Sequence, residues 1–425
     1  MSTSQPLSHS RAAASSGSTA VTGPERAVRT VGPHSNAIDR ALLRAFLIAA
    51  GRPPLRCVLP DGQEVYVGRN EPVGTIRFRD RATLYHVMRS PEIGFGEGYT
   101  DGRIEIEGDL VEVLVGAYPA STPRWVDRLW FNPRRPRRNS LAGSRRNIHQ
   151  HYDLGNDFYR MWLDDRMVYT CAYYPTPEAT LEEAQVAKMH HVCRKVALVP
   201  GERVVEAGCG WGSLALHMAR HYGVTVRAFN ISHEQIAWAR EQAARDGLSD
   251  RVEFIEDDYR NVSGTYDCFV SVGMLEHVGP EHYRELGAVI NRCLPAHGRG
   301  LIHTIGRNRP ARLNAWIEKH IFPGGCPPTL RQMMDLFEPF RFSVLDVENL
   351  RLHYERTAAA WLQRFERCAA EVERQFDDRF VRAWTLYLAG TTAAFRISLL
   401  QLFQVVFARD RHNGIPWTRQ HVYES

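Results

Sequence analysis

A chain of 425 residues, 44% hydrophobic and 24% charged, has room for two or three domains and the composition of an ordinary globular protein, which argues against a disordered or fibrous one. Its net charge of +5 is modest for this length. Eight cysteines with no C-x-x-C pair argue against a zinc site or a disulfide framework and point to reduced, cytosolic thiols.

In chain order, residues 1–35 are rich in Ser, Ala, Gly and Pro and lack an apolar h-region, so they are expected to be a disordered tail and not a secretory signal. A helix is predicted over 37–50. Short strand patterns follow at 55–60, 63–68, 74–80 and 103–108, separated by turns such as Asp61-Gly62 and Asp101-Gly102, before the segment closes in DLVEVLVGAY. This predicts a small α+β domain over 36–120. An Arg/Pro-rich boundary occupies 121–146, and its part from 124 to 146 holds eight arginines against one aspartate. Trp125, Trp130 and Phe131 lie among them, so a plain linker and a patch for an anionic membrane surface both stand.

The remainder, 147–425, reads as one larger domain. From 203 onward strand patterns (RVVEAG, VTVRAFN, VEFIED, CFVSVG, GLIHTIG) alternate with helical ones, predicting a doubly wound, mostly parallel sheet that binds ligands at the carboxyl ends of its strands. The apolar tract 383–408 is split by Arg396 into uncharged runs of 13 and 12 residues, each too short to span a bilayer.

Within that domain EAGCGWG (206–212) joins a strand to a helix. Gly208, Gly210 and Gly212 permit a tight turn and close approach to a ligand. The dinucleotide fingerprint needs a third glycine where Ser213 stands and an acid where Asn230 ends the next strand, so that reading is disfavoured. Glu206 before the loop suits a cationic ligand such as S-adenosylmethionine; the plain alternative is a structural turn. Taken alone, Cys171 reads as a small core residue and Tyr354 as an ordinary aromatic, while Glu276 and His303 end strands where such folds keep functional groups. His149, His151, His190 and His191 have no closed ligand spacing, and no metal is assigned.

Several separate motifs, GFGEGYTDG (94–102), IEIEGDL (104–110), HYDLGNDFY (151–159), VYTCAYY (168–174), EAGCGWG, SVGMLEHVG (271–279), IHTIG (302–306), FPGG (322–325) and HYERT (353–357), together resemble the cyclopropane fatty acid synthase family. The resemblance spans roughly 75–408. It implies a small lipid-associated domain before a class I methyltransferase domain of Rossmann-like α/β fold. The implied reaction is S-adenosylmethionine-dependent methylenation of the cis double bond of unsaturated phospholipid acyl chains. It also implies bicarbonate as the proton acceptor, held by Cys171, Glu276, His303, Tyr354 and the Ile305 amide.

Cofactor contacts are implied for Tyr169, Thr170, Glu206, Gly208, Gly210, Gly212, Asn230, Gln235, Asp258 and Tyr259. The last two would flank the adenine, and Asn230 would bond ribose hydroxyls, although the family commonly has Thr-Leu-Ser where this chain has Asn230-Ile231-Ser232. The expected setting is cytoplasmic and peripheral to the inner membrane face, with no nucleic-acid partner and a homodimer left open. Two alternatives remain: a fatty acid C-methyltransferase with a methyl-branched or methylene product, and a non-catalytic lipid-binding protein with a degenerate methyltransferase domain.

Overall fold

The computed structural model describes residues 35–118 and 154–423. The tail expected before residue 35 and the arginine-rich boundary at 121–146 lie outside the described residues.

The N-terminal module begins with helix α1 (Ala37–Ala49), whose N-terminus is closed by a capping box: the Asn36 side chain accepts from the Asp39 amide and the Asp39 carboxylate accepts from the Asn36 amide. Strands β1 (Leu55–Val58), β2 (Glu64–Val65), β3 (Gly74–Phe78) and β4 (Ile104–Glu107) form a sheet in the order β2-β1-β3-β4, with β1 and β3 parallel. Between β3 and β4 lie two helices that alternation did not reveal, α2 (Arg81–Arg89) and α3 (Pro91–Thr100). Helix α4 (Leu110–Ala117) closes the module.

α3 contains three glycines, which disfavour helix in isolation, so packing has to hold it. A Cβ on Gly94 would lie 2.5 Å from the His86 backbone, one on Gly98 2.8 Å from Thr83 and Ile104, and one on Gly96 2.3 Å from the Trp316 ring. Glycine thus lets α3 sit pressed between its own module and the helix Ala315–His320 of the larger domain.

The second sheet takes the order β10-β11-β9-β8-β5-β6-β7. Its members are β5 (Arg203–Ala207), β6 (Thr225–Asn230), β7 (Val252–Glu256), β8 (Cys268–Val272), β9 (Arg299–Gly306), β10 (Phe342–Asn349) and β11 (Gln401–Arg409). The five strands predicted from 203 onward are all present and parallel. β10 and β11 are additions: β11 pairs antiparallel with both β9 and β10. β11 is buried along almost its whole length, so no alternation marks it, and the second half of the 383–408 tract proves to be this strand. Separate apolar cores lie on the two sheet faces, one under the helices Leu181–Lys195, Ser213–Tyr222 and His233–Arg245, the other under Tyr283–Cys293. This is the doubly wound arrangement expected.

Between β10 and β11 the chain runs out into two long helices, Arg351–Gln375 and Asp378–Arg396, that pack on each other. With Phe158, Trp162 and Trp211 they form a third core of stacked and edge-on aromatic rings, including Trp361 and Trp384. Among the described residues no helix is long and apolar enough to cross a membrane.

Candidate active site

The turn after β5 holds Gly208, Gly210 and Gly212 at φ of +83°, +54° and +84°. Their surroundings assign them different tasks. A Cβ on Gly208 would meet Met274 at 2.8 Å and one on Gly212 the Phe254 ring at 2.5 Å, whereas Gly210 has nothing within 4 Å. The outer two glycines permit packing, and Gly210 leaves open space toward a cavity. Tyr169, Thr170, Lys188, Glu206, Gly210, Trp211, Asn230, Gln235 and His277 line that cavity. Trp211 is tied down by donating its indole N–H to Asn156 Oδ1 at 2.7 Å, which links HYDLGNDFY to the glycine loop.

Glu206 is 2% exposed, and its Oε2 has no hydrogen-bond partner among the described residues. Burial raises its pKa to about 8, with Lys188 pulling the other way. Lys188, which the sequence reading passed over, is itself buried, and desolvation lowers its ammonium to about 8. It donates to Thr170 Oγ1 at 2.9 Å. An ammonium only donates, so the Thr170 hydroxyl keeps its own proton for another acceptor. Tyr169 shares a hydrogen bond of 2.7 Å with the Tyr387 hydroxyl.

Asn230 holds the loop. Its Nδ2 donates to the Gly210 carbonyl at 3.3 Å and to Gln235 Oε1 at 2.7 Å, and its Oδ1 accepts from the Ile231 amide at 2.8 Å. The donor left over is Gln235 Nε2, buried without a partner among the described residues. Asp258 and Tyr259 follow β7 but are not among the lining residues of the cavity. The Asp258 carboxylate caps a short turn, accepting from the Arg260 amide at 2.9 Å and pairing with its guanidinium at 3.0 Å. That guanidinium lies over the Tyr259 ring.

A second group gathers beyond β8 and β9. Glu276 lies in the 3₁₀ turn Leu275–His277, beside the lining residue His277. Its Oε1 accepts from the Ile305 amide at 2.5 Å, its Oε2 is buried without a partner among the described residues, and burial raises its pKa to about 7. The Ile305 amide is therefore already engaged, and an anion seeking it competes with Glu276. His303, in the middle of β9, is 1% exposed and held neutral by desolvation. Its Nδ1 lies 3.0 Å from Gln404 Nε2, and its Nε2 has no partner among the described residues. Gln404 was also passed over, although a lone carboxamide in the run LFQVVFA is a visible signal.

Cys171 is fully buried, and burial pushes its thiol up, so it is protonated. Tyr354 stacks on Phe395 at 4.4 Å between centroids, in the aromatic core that also holds Cys171 and abuts Ile305. Among the described residues no three His, Cys, Asp or Glu side chains gather as a metal site; His149 and His151 lie outside them.

The orphaned Glu206 Oε2 and Gln235 Nε2, beside an open Gly210, fit a ligand with a cationic amino-acid portion. His303 Nε2 and Glu276 Oε2 fit a small oxyanion.

Comparison with known proteins bears on the family and the fold. Residues 139–405 match the family model described as mycolic acid cyclopropane synthetase, and 42–124 match that of a domain of unknown function. The chain is 38% identical to the cyclopropane-fatty-acyl-phospholipid synthase of Escherichia coli (strain K12), covering 80% of this chain and 89% of that one. It is 33% identical to a tuberculostearic acid methyltransferase of Mycobacterium tuberculosis, covering 88% and 92%. A mycolic acid cyclopropane synthase solved with SAH and CTAB superimposes with a TM-score of 0.60 at 28% identity, covering 62% of this chain and 98% of that one.

Proposed function

Since the chain belongs to the family of the mycolic acid cyclopropane synthetases and is an S-adenosylmethionine-dependent methyltransferase, we propose that it methylenates the cis double bond of unsaturated phospholipid acyl chains to give cyclopropane fatty acids. The observation that carries the chemistry is two buried polar atoms without partners among the described residues: Glu276 Oε2, one residue from the cavity-lining His277, and His303 Nε2, on the residue that pairs across β8 and β9 with the cavity-lining Val272. A closing three-membered ring must shed a proton inside an apolar cage, and an oxyanion held by these two side chains is suited to accept it.

When bound, S-adenosylmethionine supplies an electrophilic methyl group and bicarbonate a base. The chain supplies position and shelter. Glu206 Oε2, Gln235 Nε2 and the Thr170 hydroxyl hold the cofactor, the Gly210 backbone approaches it, and Asp258 and Tyr259 are proposed toward its adenine. His303, Glu276, Tyr354 and the Cys171 segment would hold the anion, which would gain the Ile305 amide by displacing Glu276 Oε1 from it. Trp162, Tyr169 and Trp361, packed edge-on or tilted, exclude water around the alkene.

Association with an anionic membrane surface is part of the proposal and rests on the arginine run at 124–146, outside the described residues. The similarity to a tuberculostearic acid methyltransferase supports a second product, a methyl-branched or methylene chain in which the same cation loses a different proton and leaves an alkene instead of a ring. A mass spectrum of lipids from expressing cells separates the two.

Carbon dioxide removal is expected to slow the wild-type enzyme and bicarbonate to restore it. Glu276→Gln should lose ~10²–10⁴-fold in kcat and most of that response while binding cofactor normally. Wild-type turnover with an unchanged bicarbonate response in the variant would refute the anion site.

A further inference from the structure

β9 and β11 lie antiparallel with His303 directly opposite Gln404, and β10 continues the row with Glu348 opposite Gln404. Gln404 is completely buried in a strand whose other residues from Leu402 to Ala408 are apolar. Glu348 is engaged elsewhere, with His191 at 2.7 Å and Lys195 at 2.6 Å. The polar contact left to Gln404 on this row is His303, its Nε2 lying 3.0 Å from Nδ1.

We propose that Gln404 is a positioning residue that sets the tautomer of His303, so that Nε2 carries the proton and faces the site as a donor. An amide nitrogen donates and does not accept, so Nδ1 must accept and the single proton of the neutral ring must sit on Nε2. That nitrogen is buried without a partner among the described residues, as is Gln404 Oε1 on the other side of the pair. The use of this donor rests on the anion reading above, since a bare Nε2 lone pair would repel an oxyanion that an N–H attracts. In Gln404→Glu the carboxylate would accept from Nδ1, draw the proton there and turn a lone pair toward the anion. Asparagine is too short to span the strands.

The test is a ring nitrogen spectrum of the full chain labelled with ¹⁵N-histidine, with His303 assigned from the signals missing in a His303→Asn sample. In the wild type the structure predicts an unprotonated Nδ1 and a protonated Nε2, and this spectrum decides the tautomer without any variant of Gln404. Gln404→Glu should reverse the pattern, with the proton on Nδ1 and Nε2 bare. Gln404→Leu, which is neutral and keeps the strand apolar, should give the averaged shifts of mixed tautomers. In either variant the bicarbonate concentration that half-restores turnover should rise by about ten- to a hundredfold, as when other outer partners of a ligating histidine are lost. Cofactor affinity by calorimetry should stay unchanged.

A wild-type ring protonated on Nδ1, or a pattern unaltered in both variants, would overturn the proposal. Shifted tautomers in an enzyme whose wild-type turnover ignores bicarbonate would uphold Gln404 as the positioning residue and refute the anion reading instead.

Discussion

At Glu206 the proposed cofactor binding should couple to pH. Its carboxyl, ordinarily near 4.5, is raised by burial to about 8, so it is mostly neutral at pH 7. A cation placed against it favours the ionised form, and binding must then release a proton. We predict that S-adenosylmethionine affinity climbs by up to about tenfold per pH unit toward pH 8 and levels off above it, because the gain is lost as pH falls below the raised pKa of the free protein. Calorimetry in two buffers of different ionisation heat should show release approaching one proton per cofactor at pH 7. Glu206→Gln should show none and a flat profile; equal release by variant and wild type would remove Glu206 from the cofactor site. The stability of the free protein should run the other way. Its folded form holds a proton that the unfolded form gives up near 4.5, so this group's contribution falls as pH rises from about 4.5 to about 8.

Glu206 was legible because its motif is contiguous, and Lys188 had a signal that went unread. The chain has three lysines, at 188, 195 and 319, among 53 basic residues. Two of the three are buried within the catalytic domain, and at Lys188 desolvation lowers the ammonium pKa where an arginine would stay charged.

At the scale of elements, α3 is the instructive case. By propensity each of Gly94, Gly96 and Gly98 costs a helix about 1 kcal/mol relative to alanine, and they persist because a Cβ has no room. Gly96→Ala should therefore destabilise the protein in urea: overpacking against the buried Trp316 ring, about 1–3 kcal/mol, outweighs the propensity gain. Gly390 is the internal control. It lies inside the helix Asp378–Arg396 with nothing within 4 Å of its absent Cβ, and Gly390→Ala should stabilise by about 0.5–1 kcal/mol. A gain in both variants would mean that α3 is not clamped at Trp316. The predicted strands of the parallel sheet were found where an apolar run met a turn signal. α3 went unseen because its warrant is a neighbour more than 200 residues away, and β11 because burial on both faces erases the period of two.

For the molecule as a whole, the N-terminal module is held on the catalytic domain chiefly by the helix Asp378–Arg396. Arg382 donates to the carbonyls of Tyr99 at 2.6 Å and Ile104 at 3.0 Å, with its guanidinium over the Tyr99 ring. Arg396 pairs with Glu112 and Glu355, and Arg379 pairs with Asp101. These contacts differ in weight. Arg382→Met removes two hydrogen bonds from a charged donor, with the Tyr99 carbonyl still accepting from the Gly102 amide, and should cost about 1.5–3 kcal/mol, whereas Arg379→Ala removes an exposed ion pair worth about 0–1 kcal/mol. Thermal melting should separate the two, and limited proteolysis should open the junction in the first variant. Equal melting temperatures would contradict this division.

The linear sequence determined the family, the parallel strands and the glycine loop, because each is written in neighbouring residues whose spacing is itself the physical signal. Tertiary structure alone decided which glycine leaves open space beside the cavity, that Asn230 braces the loop while Gln235 keeps a donor unpaired among the described residues, and that the Ile305 amide is taken by Glu276. It also decided that Gln404 stands against His303, a pairing created by strand order across 101 residues of chain. Hydrogen bonds and burial depend on which strands become neighbours, and a row of side chains across three strands exists only after the sheet has closed.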